Sequence, residues 1–376
     1  MGKENGTKIK IAYILPTLDR GGAERFLSDL LLNLDQQTYD PTLILFKRGG
    51  DWLADLQAAG IRTLVLEKKY KFDPVNFWRL LAALRKIRPQ IVHTQLGGDL
   101  YGRLATKILG VPVILSTEQN VNPDETRLTN ILKKITTAWV DQVVAISQAV
   151  RTDLITRYRC DPLKIRVIPN GLVIHRFPLP AREETTGGGR ADRSLNFGTL
   201  GRLVPQKGQG ILIEALARLK NKDFRCLIAG TGPLKKQLAE QIEAVGLADK
   251  IELVGAISDP ANFFKSLDIF ILPSLWEGQG IVLLEAGLSG LPIIASAADG
   301  IAELITDETG WPIPAGDASA LTEQIDWLAA NLDQPIVKAK TEKLRAKIIA
   351  SYDIKRIAAL YQDLYQELLK RQGFSI

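Results

Sequence analysis

Cysteine and histidine are almost missing from this chain. Its 376 residues include two of each, Cys160 and Cys226, His93 and His175. None stands at a metal-binding or redox spacing, so a zinc site is not expected and a reducing, cytoplasmic compartment is. Asp-x-Asp pairs are absent, and a diphosphate held through a divalent metal needs clustered carboxylates, so no metal is expected. Long apolar runs are also absent. The charged segment Met1 to Lys10 leads into a short apolar stretch that Pro16 ends, which predicts neither a signal peptide nor a membrane span. Met1-Gly2 lacks Ser or Thr at the sixth position, so myristoylation is unsupported.

What is present is a soluble globular composition at a length that calls for two domains. The charge is uneven: residues 1–180 carry 26 Lys/Arg against 17 Asp/Glu, and the remainder carries 22 against 25. A basic half suits nucleic acid, anionic lipid or phosphorylated substrates. No nucleic-acid motif accompanies it, so lipid and phosphate rank higher and nucleic acid is not expected. Lys68, Lys69, Lys71, Arg79, Arg85, Lys86 and Arg88 surround Phe72, Phe77 and Trp78, a mixture suited to an anionic membrane surface and equally to an ordinary helix with core aromatics.

Apolar runs at Lys10–Leu15, Thr42–Phe46, Thr63–Leu66, Ile91–Thr94, Val113–Ser116, Gln142–Ile146 and Ile165–Ile168 read as strands separated by helical periodicity. A second series follows at Phe197–Leu200, Arg225–Ala229, Ile251–Leu253, Ile269–Leu272 and Pro292–Ala295. Repeated βαβ units specify parallel sheets covered on both faces, hence an α/β fold of two Rossmann-like halves. Residues 1–178 form the first domain and 179–195, rich in Pro, Glu and Gly, an exposed linker. Residues 196–350 form the second domain, and 351–376 a C-terminal amphipathic helix.

The most informative stretch is Pro273 to Ala286. It follows a buried strand and opens a helix near Gly280, so a glycine-rich turn meets a helix N-terminus, a natural anion site. Glu277 and Glu285 both reach that mouth, since helical side chains lean toward the N-terminus. Amides for a phosphate beside carboxylates for hydroxyls suit a phosphorylated sugar. Arg202 and Lys207, in the turn Gly201 to Gly208, point at the same mouth and neutralise a diphosphate. Gly230-Thr231-Gly232-Pro233 resembles a dinucleotide fingerprint only weakly, with Lys235 where the third glycine belongs. The pair Gly21-Gly22, after the first strand, favours backbone approach to a ligand.

Taken in order, Gly21-Gly22-Ala23-Glu24-Arg25, Ile168-Pro169-Asn170-Gly171, Gly201-Arg202, Lys207-Gly208, Gly230-Thr231-Gly232-Pro233, the pair Glu277 and Glu285, and Gly290-Leu291-Pro292 resemble glycosyltransferase family 4, the retaining GT-B enzymes. The resemblance covers nearly the whole chain. It implies two domains facing across a cleft that closes on the donor, with the last helix crossing back to the N-terminal, acceptor-binding domain. It implies that Glu285 holds the ribose, that Glu277 contacts the donor sugar, and that Arg202 and Lys207 bind the diphosphate. The amides of Gly278, Gln279, Gly280, Ile281 and Val282 and the Gly21-Gly22 loop would assist, with the base near Ile257.

Two positions depart from the family pattern. Gln119 stands where many members place a histidine near the donor sugar, and Gln279 where an aromatic is common. Glutamine hydrogen-bonds but carries no proton charge. His93 ends a strand at the cleft side, and a lone histidine is more often structural than substrate-binding.

The expected activity is a metal-independent, retaining transfer of a hexose from a UDP-sugar, or a GDP-sugar, to a saccharide or lipid-linked hydroxyl in envelope polysaccharide or glycolipid synthesis. No other cofactor is implied. The competing readings are a UDP-GlcNAc 2-epimerase, hard to staff with two histidines, and a non-catalytic nucleotide-sugar binder.

Overall fold

The computed structural model describes residues 8–70, 73–121, 125–179 and 194–375. It divides into two compact units, Met1–Gly171 with Ile354–Ile376, and Leu172–Asp353.

In the first unit, strands β1 (Ile9–Leu15), β2 (Tyr39–Leu45), β3 (Arg62–Val65), β4 (Ile91–Gln95), β5 (Val113–Glu118), β6 (Gln142–Ala145) and β7 (Ile165–Val167) alternate with helices. These are α1 (Gly22–Asn33), α2 (Leu53–Ala58), α3 (Pro74–Ile87), α4 (Asp99–Leu109), α5 (Arg127–Thr137) and α6 (Gln148–Thr156). The seven strands lie in the order β3-β2-β1-β4-β5-β6-β7, every pair parallel. Their apolar runs are continuous and not alternating because helices cover both faces. Local chemistry sets the helix starts: the Asp73 carboxylate accepts from the Asn76 amide at 3.0 Å with Pro74 in the first turn, and Ser147 accepts from Val150 at 3.2 Å.

The second unit repeats the plan with β8 (Leu195–Leu200), α7 (Gln209–Arg218), β9 (Phe224–Ala229), α8 (Lys235–Ala244), β10 (Ile251–Gly255), α9 (Pro260–Lys265), β11 (Ile269–Leu272), α10 (Ile281–Leu288), β12 (Ile293–Ser296) and β13 (Trp311–Ile313). Helices α11 (Ala318–Asn331) and α12 (Pro335–Ser351) complete it. Its parallel order is β10-β9-β8-β11-β12-β13. One core packs Leu212, Leu238 and Leu321 on one side of the sheet, and a second packs Phe264, Leu284 and Ile348 on the other.

The last helix, α13 (Ile354–Arg371), belongs to the first unit and packs against α1. Its buried stripe includes Ile357, Tyr361, Leu364, Tyr365 and Leu368. Tyr365 and Tyr13 share a 2.7 Å hydrogen bond between hydroxyls, and Arg166 on β7 pairs with Glu367 at 2.7 Å.

All twelve strands expected from the sequence are present; β13, α11 and α12 are additional. The chain passes between units at Gly171 and Leu172, ahead of the expected boundary at residue 178. Leu172 bridges Asp353 and donates its amide to the Tyr352 carbonyl at 2.9 Å, while Phe177 packs edge-on against Phe264 at 6.1 Å. Those contacts tie residues 172–177 to the second unit. Most of the expected linker, 180–193, lies outside the described residues.

Candidate functional site

In an open parallel sheet, ligands bind beyond the carboxyl ends of the strands where the strand order reverses. In the second unit the order reverses between β8 and β11. The loops leaving those two strands are 201–208 and 273–280, the two stretches that the sequence singles out.

Four loops at this end of the sheet are stitched together through their backbones. Gly201 donates its amide to the Ala229 carbonyl at 3.0 Å, and Leu203 donates to Thr231 at 2.9 Å. Leu275 donates to the Gln206 carbonyl at 2.7 Å, and Gly300 to the Glu277 carbonyl at 3.1 Å. Glycines permit this closeness. A β-carbon at Gly230, whose φ is +137°, would lie 1.9 Å from the Gly201 carbonyl oxygen, and one at Gly232 would lie 2.3 Å from that of Leu203. Loop-on-loop packing therefore accounts for the glycines that resemble a dinucleotide fingerprint. Gly230→Ala is expected to destabilise by about 1–2 kcal/mol, read as a Tm lower by roughly 3–6 °C in a calorimetric scan. An unchanged Tm would show that the loop relaxes freely.

Within this frame the Lys207 ammonium forms an ion pair with the Glu277 carboxylate, each side chain 13% exposed. The sequence suggests an anion between the acids and the bases; in the structure one acid and one base meet directly. Arg202 is exposed on the same loop, while the Gln209 amide holds its carbonyl at 2.9 Å. The Gln206 amide donates to the Trp276 carbonyl at 3.0 Å and fixes the loop that carries Glu277. Gly280, at φ +75°, caps α10 with no side-chain partner, so the first helical amides of Ile281 and Val282 are available to an anion. Glu285 is half-buried on the second turn of α10, a helix otherwise apolar. Gln279 is buried, and Ile257 is half-buried against the cluster containing Phe264 and Phe270.

Asp299 escaped the sequence reading. It follows β12 with φ +42°, and its carboxylate accepts from the Glu277 amide at 3.3 Å. Partial burial pushes its carboxyl above the usual range; the Glu277 amide opposes that shift and the Glu277 carboxylate adds to it. The only signal in sequence was an Asp-Gly pair just after a strand.

In the first unit the order reverses between β1 and β4. Gly21 caps α1 there in extended backbone, and Gly22 opens the helix. Gln119 is engaged at both ends of its amide: it accepts from Asn170 at 2.8 Å and donates to Gln95 at 3.3 Å. The Gln119 amide thus joins the segments after β5 and β7 to the end of β4.

Both ring nitrogens of His93 are engaged inside the fold. The side chain is fully buried, with Nε2 at 2.7 Å from the Thr117 hydroxyl and Nδ1 at 3.0 Å from the Tyr365 hydroxyl. Burial pushes its pKa down to about 3, so the imidazole is neutral. Of the aromatics among the N-terminal basic residues, Phe77 packs on Tyr101 at 5.9 Å in the core. Lys68 sits 3.9 Å over the Tyr101 ring, and Trp78 is exposed. Lys71 and Phe72 lie outside the described residues.

Residues 20–176 match the model for Glycosyltransferase Family 4, and residues 183–347 that for Glycosyl transferases group 1. The chain is 28% identical over 393 aligned positions, 98% of its length and 99% of the relative's, to the UDP-Gal:alpha-D-GlcNAc-diphosphoundecaprenol alpha-1,3-galactosyltransferase of Escherichia coli. Among solved structures, a glycosyltransferase from Rickettsia africae ESF-5 superposes with TM-score 0.80 at 25% identity, covering 96% of this chain and 99% of that one. Anabaena Alr3699/HepE in complex with UDP-glucose shares the fold, with TM-score 0.83 at 20% identity over 96% and 100% of the two chains. With two Rossmann-like sheets, acids and bases gathered at the switch point of the second, and one family model on each half, the chain belongs to glycosyltransferase family 4 and is a GT-B glycosyltransferase.

Proposed function

We propose that the enzyme moves a hexosyl group from a UDP-sugar to a hydroxyl of a saccharide or lipid-linked acceptor, with retention and without a metal, in envelope glycan synthesis. The observation that carries this reading is the Lys207–Glu277 pair at the switch point, beside the uncapped N-terminus of α10. In the reaction the bond from the sugar's anomeric carbon to the diphosphate breaks and a bond to the acceptor oxygen forms. The acceptor's proton passes to the departing diphosphate on the same face. Lys207, Arg202 and the α10 amides supply the positive charge that the leaving group needs, which is why no metal is invoked. Glu285 accepts hydrogen bonds from the ribose and Glu277 from the donor sugar. A UDP donor agrees with what the Escherichia coli relative and the Anabaena complex bear in their names.

Thermal shift with UDP-, GDP- and ADP-sugars in EDTA tests the donor. Ligand at about a hundred times its Kd stabilises by about 2.7 kcal/mol, and a UDP-sugar is expected to raise Tm the most. A shift with GDP-sugars alone, or a shift that needs added metal, would refute this assignment.

On the acceptor side, α5 carries Leu128, Ile131 and Ile135 at 65%, 56% and 50% exposure, a helical stripe flanked by Arg127 and Lys134. Ile108 on the neighbouring α4 is 56% exposed. Among the described residues no helix is long and apolar enough to cross a membrane. An apolar stripe edged with cations fits an anionic bilayer surface. Co-sedimentation with vesicles of equal phosphatidylglycerol and phosphatidylcholine is expected to pellet the enzyme at low salt. The double change Leu128→Asp, Ile131→Asp should leave it in the supernatant, and equal pelleting of both proteins would sink the idea.

A further inference from the structure

A second concave site lies at the other end of the second sheet. The strands are parallel and Trp311 opens β13, the edge strand, so this cleft sits at the amino end of that edge and the Lys207–Glu277 loops at the carboxyl ends. Its volume is about 320 Å3, at the lower end of ligand-pocket sizes. Asp307, Trp311, Gln324, Trp327, Ile336 and Lys340 line it.

Its lining resembles neither a core gap nor a solvated surface. The indoles of Trp311 and Trp327 stand 6.2 Å apart at 38°, and Trp327 is 41% exposed, an uncommon state for so large an apolar side chain. Gln324 lies one turn before Trp327 on α11, so its amide borders the exposed indole. The Lys340 ammonium is 4.8 Å over the Trp311 ring and 3.3 Å from the Gly310 carbonyl oxygen. That ammonium already occupies the cation position over the Trp311 ring, which disfavours a cationic guest. Asp307 disfavours an anionic one, and the two charges offset each other.

A neutral ligand with an apolar face and a rim of hydroxyls satisfies every part of this lining. A pyranose lays its C–H face on an indole, while its hydroxyls donate to a carboxylate and pair with an amide. We propose that this cleft binds a neutral saccharide, holding a segment of glycan remote from the donor loops. The inference uses none of the donor-site residues and stands or falls separately from the UDP-sugar assignment.

The test is a fluorescence titration of the full chain, with UDP present to occupy the donor site. The probes are maltotetraose, cellotetraose, chitotetraose and mannotetraose. At least one is expected to quench tryptophan emission with a millimolar Kd. Trp327→Ala should weaken that Kd at least tenfold and Gln324→Ala roughly threefold to tenfold, both with unchanged transfer to a short acceptor. Gln324→Ala carries the test if Trp327→Ala fails to fold. Absence of saturable quenching by all four sugars, wild-type affinity in the folded variants, or saturation by choline in place of saccharide would overturn the proposal.

Discussion

Lys207→Ala is expected to lower the rate of sugar transfer by about 10²- to 10³-fold, the usual effect of removing one preorganised charge from a leaving-group site. The same change should also destabilise the resting enzyme. Lys207 and Glu277 form a largely desolvated pair, so removing the ammonium strands a carboxylate among the four stitched loops. Breaking such a pair from one side costs about 3 kcal/mol, because the remaining charge keeps its desolvation penalty. Replacing both with neutral groups removes that penalty. The double variant Lys207→Met, Glu277→Gln is therefore expected to melt closer to wild type than either single variant while remaining inactive. Full transfer by Lys207→Ala would reduce the pair to a structural contact. Additive stability losses would show that the two charges do not depend on each other. In the proposed reaction, donor binding offers Lys207 a diphosphate in exchange for Glu277, and Glu277 a sugar hydroxyl in exchange for Lys207. On that proposal the closed ion pair of the resting state is a charge-neutral placeholder for the substrate.

Much of this site was legible in the sequence because its geometry follows from chain order. A parallel sheet puts every strand-to-helix loop at one end, so Gly201–Gly208 and Pro273–Gly280 had to share a face once their strands were recognised. Details that depend on which loop touches which were not legible. Gly230 and Gly232 resemble a dinucleotide fingerprint only weakly, and their close approach to the Gly201 and Leu203 carbonyls is a loop-on-loop contact that no local pattern announces. Asp299 was hidden because its partner, the Glu277 amide, is far away in sequence. Strand β13 was missed because it is three residues long and contains Pro312, which an edge strand tolerates and a pattern search penalises. Helix α12 was missed because its apolar residues make no sharp stripe; Val337, Leu344 and Ile348 are its buried positions.

His93 shows how a polar residue at a strand end acquires a purely structural role, and it supports the second large prediction. The imidazole links β4 to Thr117 on β5 and to Tyr365 on α13, and Tyr361 lies 3.3 Å from the same Thr117 hydroxyl. It therefore pins the C-terminal helix to the sheet of the first unit. His93→Ala removes a buried ring and one hydrogen-bond partner each from Thr117 and Tyr365, which keep Tyr361 and Tyr13 respectively, a loss of about 3–5 kcal/mol. A pH signature separates this role from mere packing. In the folded chain the pKa is pushed down to about 3 by burial, whereas the unfolded chain titrates near the ordinary 6.5. The stability this contributes is whole above the unfolded value and is lost as pH falls below it, because the unfolded state then binds the extra proton. The slope approaches about 1.4 kcal/mol per pH unit. Between pH 7.5 and pH 5 the wild type should lose about 2 kcal/mol more than His93→Gln, whose amide can pair with both neighbours and does not titrate. The only other histidine, His175, is exposed, so the difference has one principal source. Calorimetry at the two pH values decides it: equal losses in both proteins would mean that His93 takes up a proton inside the fold, and the neutral, pinned imidazole would have to be abandoned.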